Sequence, residues 1–189
     1  MRAKRTAAAP LARPTHAALL RAINVGGTGG LPMAELKAIF EKAGARAVRT
    51  LLASGNVLFG ATDVDACVKR VRKALADRLG KEVSVMVRSL AQVQTLVAAA
   101  PFGGTKAPPG TTWYVSFLDR APTPALRLPL TVPTGDVTYL TLVGLELCTT
   151  VTPQPGTTSV ENVKAEALFK VTATTRNWNT VLKLIAEKP

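Results

Sequence analysis

Apolar positions in this chain repeat with two alternating periods. Residues 16–23 read His-Ala-Ala-Leu-Leu-Arg-Ala-Ile, nearly continuous in apolar side chains, as in a strand covered on both faces. Pro32 then stands where a helix starts without losing a hydrogen bond; Leu36, Ile39, Phe40 and Ala43 recur at helical spacing, and Gly44 supplies a stop. Residues 48–52 predict a second strand. Ala53-Ser54-Gly55-Asn56 predicts a tight turn, because Gly and Asn tolerate positive φ, and residues 57–59 begin the return strand. Thr62 and Asp65 have capping-box spacing for a helix with the apolar stripe Val64, Cys67, Val68, Val71 and Leu75. Lys69, Arg70, Arg72 and Lys73 lie on its other face, and Gly80 closes it. Residues 83–87 predict a fourth strand. The order β-α-β-β-α-β is that of a ferredoxin-like unit.

The second half is also α+β but less regular. Ser89 with Gln92 predicts a capped helix to about Ala99, and residues 101–110 form a Pro/Gly loop. Residues 112–118 alternate like a strand, residues 122–133 carry little signal, and residues 137–142 and 145–151 predict a hairpin about Gly144. Thr158 with Glu161 predicts a capped helix bearing Val163, Ala167 and Leu168. The last helix places Trp178, Val181, Leu182 and Ile185 on one face. The expected division is a basic disordered arm at 1–15, a ferredoxin-like subdomain at 16–88, and a second α+β subdomain at 89–189.

Charge changes this picture through its placement. The formal net charge is +12. The arm carries four Lys/Arg and no acid, residues 16–90 carry twelve Lys/Arg against six Asp/Glu, and residues 91–189 carry eight against six. The basic excess lies in the first half, which suits an anionic partner, or simply a solvated basic surface. No run approaches the ~20 apolar residues of a membrane-spanning helix. The N-terminus lacks a secretory apolar core, so a cytoplasmic location is expected, with an organellar presequence as the alternative for the arm. Cys67 and Cys148 sit in apolar patterns and read as buried and reduced.

Three segments are candidates for chemistry: the strand end and glycine-rich loop from Arg21 through Asn24, Gly26 and Gly27; the turn Ser54, Gly55, Asn56; and Arg176, Asn177, Asn179 near the C-terminus. In a split βαβ sheet, strand three begins where strand one ends, so the first two segments share an edge. A glycine-rich loop entering a helix can present N–H groups to an anion, although neither the dinucleotide-binding nor the Walker pattern is present. Arg21 reads either as a structural ion or as a ligand anchor. Ser54-Gly55-Asn56 reads as turn chemistry, Asn177 as an N-cap and Trp178 as core, with ligand contact as the competing reading of each. One histidine, His16, and no clustered acids leave no metal site, no cofactor site and no Ser-His-Asp triad. Base stacking on strands one and three has only Phe59 to work with, whereas phosphate-backbone contact through Lys69, Arg70, Arg72 and Lys73 stays open.

Leu19-Leu-Arg-Ala-Ile-Asn-Val-Gly-Gly27, Met33-Ala-Glu-Leu36, Ser54-Gly-Asn56 and Arg176-Asn-Trp-Asn-Thr-Val181 resemble, in order and spacing, the bacterial family catalogued as domain of unknown function 1697. The likeness runs from about Ala17 to Leu184. It implies two ferredoxin-like (alpha-beta plait) subdomains and carries no established activity. Ala22 replaces the glycine usual after the strand-one arginine, and Thr28 and Gly29 replace the usual charged loop residue. The function expected is a non-enzymatic binder of an anionic partner, nucleotide or nucleic-acid backbone. The alternatives are an enzyme on a small phosphorylated or acidic metabolite, and an interaction module without ligand.

Overall fold

A computed structural model describes residues 13–21, 23, 30–155 and 161–186. The protein is α+β, with one four-stranded and one five-stranded sheet. It divides into two compact units between Val87 and Arg88.

The first unit contains β1 (His16–Leu20), α1 (Met33–Lys42), β2 (Arg46–Leu51), β3 (Asn56–Gly60), α2 (Val64–Leu79) and β4 (Val85–Ser89), the last of which crosses the division. Its sheet has the order β2-β3-β1-β4. β3 pairs antiparallel with β1, Ala17 opposite Leu58, and with β2, Thr50 opposite Val57. Ala18, Leu20, Val57 and Phe59 face Leu36 and Phe40 of α1 and Cys67, Val71 and Leu75 of α2 in one core. Phe40 meets Phe59 edge to face at 5.3 Å. Each large side chain buried there contributes about 1.5–3 kcal/mol. The helix stops follow the glycines: Gly44 has φ +94° and Gly80 φ +66°. Arg70 reinforces the first stop, its Nε donating to the Ala43 carbonyl at the end of α1 (2.8 Å).

Several boundaries in the first unit differ from the sequence reading. β1 ends at Leu20 rather than Ile23, although the Arg21 N–H still donates to the Ser84 carbonyl (2.9 Å). The cap of α2 is Asp63 rather than Thr62; its Oδ1 accepts from the Ala66 N–H (2.9 Å), the local bond that fixes the first turn. The fourth strand occupies Val85–Ser89, two residues later than expected.

The turn from β2 to β3 is set by two side-chain facts. Gly55 has φ +74°, and a Cβ there would lie 2.7 Å from Ile23 Cγ2 and 3.1 Å from Leu20 Cβ. Asn56 is fully buried, and its Nδ2 donates to the Leu51 carbonyl (3.0 Å) and to Ser54 Oγ (2.9 Å).

The second unit contains α3 (Leu90–Ala98), β5 (Thr112–Leu118), β6 (Leu130–Thr131), β7 (Val137–Val143), β8 (Glu146–Val151), α4 (Glu161–Phe169), β9 (Ala173–Asn177) and α5 (Trp178–Ala186). Ser89 and Gln92 form the capping box read from the sequence. Thr158, expected to cap α4, lies outside the described residues. The sheet has the order β6-β7-β8-β5-β9, and every pairing is antiparallel. Leu118, Tyr139, Leu147 and Ala173 pack with Ala165 and Phe169 of α4. Trp113 lies five residues from Leu118 and so on the opposite face, where Phe102 stacks on it. Arg88 makes a buried ion pair with Glu146, donates from Nη2 to the Leu118 carbonyl (2.6 Å) and lies over the Phe117 ring at 5.9 Å. Each charge of the pair compensates the other, where a lone buried ion would be left uncompensated.

Gly55→Ala, which meets both the positive φ and the Ile23 methyl, is expected to destabilise the first unit by about 2–4 kcal/mol, and Asn56→Ala, which orphans the Leu51 carbonyl, by about 1–3 kcal/mol. Urea denaturation of each variant measures both effects.

Candidate functional site

The sequence-derived candidates divide between the units. In the first, Arg21 is half-buried at the end of β1, and the turn Ser54–Asn56 sits beside it: the Leu20 N–H donates to the Gly55 carbonyl (2.8 Å) and Leu19 is paired with Asn56. Topology therefore brings these two segments to one sheet edge, as read from the sequence. Asn24, Gly26 and Gly27 lie outside the described residues. The polar atoms of the turn are largely spent within it, since the Asn56 amide is bonded to Leu51 and Ser54. Of the basic residues on α2, Arg70 holds Ala43 and Arg72 donates to the Val85 carbonyl (2.7 Å), while Lys73 pairs with Asp77 (2.8 Å) and Lys69 is exposed. Two of the four side chains thus tie α2 to neighbouring carbonyls.

The second unit offers a cavity. β9 runs into α5 without an intervening loop. Asn177 pairs with Tyr114 as the last residue of the strand, and its Oδ1 accepts the Asn179 N–H (2.9 Å), which makes it the N-cap of the helix. Around this junction is a space of about 250 Å³ lined by Asn177, Trp178 and Asn179, by Thr112 and Trp113 of β5, and by Thr105, Lys106, Ala107 and Thr111 of the Pro/Gly loop. Phe102 anchors the start of that loop, stacked on Trp113 (4.6 Å between centroids, 7° between planes) and edge-on to Trp178 (5.1 Å). The Thr111 hydroxyl is tied to that of Thr152 (2.8 Å). Asn177 and Asn179, two of the residues singled out from the sequence, therefore belong to a concave site. Lys106, the three threonines and the two tryptophans complete it. Their common location comes from the β5–β9 pairing, and no local spacing signals it.

Arg176 is not on this lining. Its Nη1 donates to Thr174 Oγ1 and to the Thr175 carbonyl, both at 2.8 Å, so the side chain lies along its own strand. Burial lowers its pKa to about 10, which still leaves the guanidinium charged at neutral pH.

The lining holds one cation, no carboxylate, no histidine and no cysteine. Its amides and hydroxyls both donate and accept, while the Lys106 ammonium and the start of α5 add positive charge, an arrangement that receives negative charge. Elsewhere, among the described residues, no group of three His, Cys, Asp or Glu side chains is placed to hold a metal ion. His16 bonds Thr15 through Nδ1 (2.8 Å) and sits against Phe59, with its pKa lowered by burial. Both cysteines are buried free thiols. Burial raises the Cys67 pKa, and burial followed by the Glu146 charge pushes that of Cys148 up to about 12.

The comparisons can be set beside this geometry. Residues 14–146 match the family described as "Protein of unknown function (DUF1697)". The chain belongs to that family. The matched residues stop before the Arg176–Asn179 segment, so they contain the β5 side of the cavity and not its α5 side. Among solved structures, the chain is similar to "conserved bacterial protein SP0830 from Streptococcus pneumoniae": 21% identity over 92% of this chain and 97% of the other, with a TM-score of 0.60. That likeness is one of fold. No curated protein matches the chain.

Because both thiols stay protonated and covered, Ellman's reagent at pH 8 is expected to label neither in the native protein and both after unfolding in guanidinium. Release of thionitrobenzoate within minutes from native protein would contradict the burial assigned to them.

Proposed function

We propose that this DUF1697 protein is a binding module for a small anionic molecule, held in the second-unit cavity at the β9–α5 junction. The observation that carries the reading is the composition of that lining: Lys106, Asn177, Asn179 and the start of α5 converge on about 250 Å³ with no carboxylate among them. These groups bind and neutralise charge. No carboxylate, histidine or cysteine stands among them, which favours binding over acid–base catalysis.

Nucleic-acid binding through α2 draws less support. All four residues are exposed, but Arg70 and Arg72 are engaged with carbonyls of the fold and Lys73 is paired with Asp77.

We read the architecture as two alpha-beta plaits on the same footing. The order β2-β3-β1-β4, with α1 after the first strand and α2 after the third, is that of a ferredoxin-like unit. In the second unit β7-β8-β5-β9 repeats it: β5, β7, β8 and β9 take the places of β1 to β4, and α4 that of α2. The first crossover helix is replaced by the irregular segment before β7. A reducing, cytoplasmic setting agrees with two buried free thiols, and no helix among the described residues is long and apolar enough to cross a membrane.

The chain has two tryptophans and both line the cavity, so intrinsic fluorescence reports directly on its occupancy. Titration with inorganic phosphate and phosphorylated metabolites is expected to give a saturable change. Lys106→Met, at an exposed position, is expected to weaken it about tenfold or more, the value of one charge-assisted hydrogen bond. Equal affinity in wild type and variant would remove the site from consideration.

A further inference from the structure

We infer that residues 104–107 form a strap that closes over the anion held in this cavity and carries Lys106 onto it. The inference rests on the anion-binding reading above and adds the movement by which that site is entered and shut.

The walls of the cavity are held unequally. Thr112 and Trp113 belong to β5, which is paired on both sides, with β8 and with β9. Asn177 closes the β5–β9 ladder and caps α5, whose first turn holds Trp178 and Asn179. The remaining wall is the Pro/Gly loop, through Thr105, Lys106, Ala107 and Thr111. Residues 104–107 make no hydrogen bond and no ion pair among the described residues, by backbone or by side chain. Such a segment stands at the low end of local stability, where opening costs least.

The two ends of the strap, by contrast, are fixed. The Gly103 N–H donates to the Ala100 carbonyl (2.9 Å) and closes one turn, which holds Phe102 in its stack on Trp113. The Thr111 N–H donates to the Pro108 carbonyl (3.0 Å) and closes a second turn, in which Gly110 follows Pro109 at φ +76°, as a Pro-Gly type II turn requires. The Thr111 hydroxyl ties this turn to Thr152. A Cβ at Gly103 or at Gly110 would meet nothing within 4 Å, so no packed neighbour opposes rotation at either end. A segment with set ends and an unbonded middle swings between its anchors.

Charge gives the swing its direction. Lys106 stands in that middle, is exposed, and is the cation of the lining. An ammonium surrounded by water attracts an anion weakly, and the same pair shielded from water attracts several-fold more strongly. An anion seated at the start of α5 therefore favours the strap position that brings Lys106 to it and covers both from solvent. With the strap open the anion enters; with the strap closed it is retained.

Nitrogen-15 relaxation of the full chain, with and without inorganic phosphate, tests the inference. Order parameters of the Gly104, Thr105, Lys106 and Ala107 amides are expected below ~0.6 in the free protein and near ~0.85 at saturating phosphate, with Phe102 and Thr111 near ~0.85 throughout. In Lys106→Met, at an exposed position, the strap is expected to stay mobile even when phosphate is raised until the tryptophan signal saturates. Strap amides that are already rigid without phosphate overturn the inference, as does equal ordering in Lys106→Met. Tryptophan fluorescence that saturates with phosphate while the wild-type strap stays mobile overturns the strap and leaves the anion site standing. Silence of both readouts to phosphate overturns both.

Discussion

Asn177 does two jobs that are usually separated by a loop. It closes the β5–β9 ladder opposite Tyr114, and its side chain caps the helix that starts at the next residue. A helix beginning directly at a strand end must project its first turn over the neighbouring strand, here β5 with Thr112 and Trp113. The position of the cavity follows from that constraint. The ladder fixes one wall, the cap fixes the second, and the Phe102 stack draws the Pro/Gly loop with Lys106 into place as the third.

The first unit is governed by a comparable junction with another outcome. At the β2–β3 turn Gly55 has no room for a Cβ beside Ile23, and the buried Asn56 amide satisfies the Leu51 carbonyl. Polar residues that read as ligand contacts are consumed in closing a turn. The contrast between the two junctions is a matter of hydrogen-bond accounting. The donors of Asn56 meet acceptors of the chain, whereas the donors lining the second-unit cavity surround a space.

Much of the fold was legible in the sequence because its signals are local. Gly44 and Gly80 end helices with positive φ, Ser89 and Gln92 build their capping box, and Gly144 turns the β7–β8 hairpin. β9 was not legible. Ala-Thr-Thr-Arg-Asn is five residues long, polar at its end and abuts a helix, so it carries no strand period that sets it apart. That strand matters most for the site, because its pairing with β5 carries Asn177 and Asn179 to residues far away in the chain. Lys106 was equally hidden: it stands in a Pro/Gly loop without periodicity, placed by the Phe102 stack on Trp113 and the Thr111–Thr152 bond. Asn177 and Asn179 were singled out for donor density. Arg176, chosen for the same reason, proves to be bonded along its own strand.

The central claim is that the cavity at the β9–α5 junction, lined by both tryptophans, receives a small anionic molecule. The most direct measurement is the pair of indole Nε1–H resonances in a nitrogen-15 correlation spectrum of the full chain, followed as inorganic phosphate and phosphorylated metabolites are added. Both resonances are predicted to move together along a single saturation curve. Two resonances that stay in place while the protein is exposed to millimolar ligand would contradict the account.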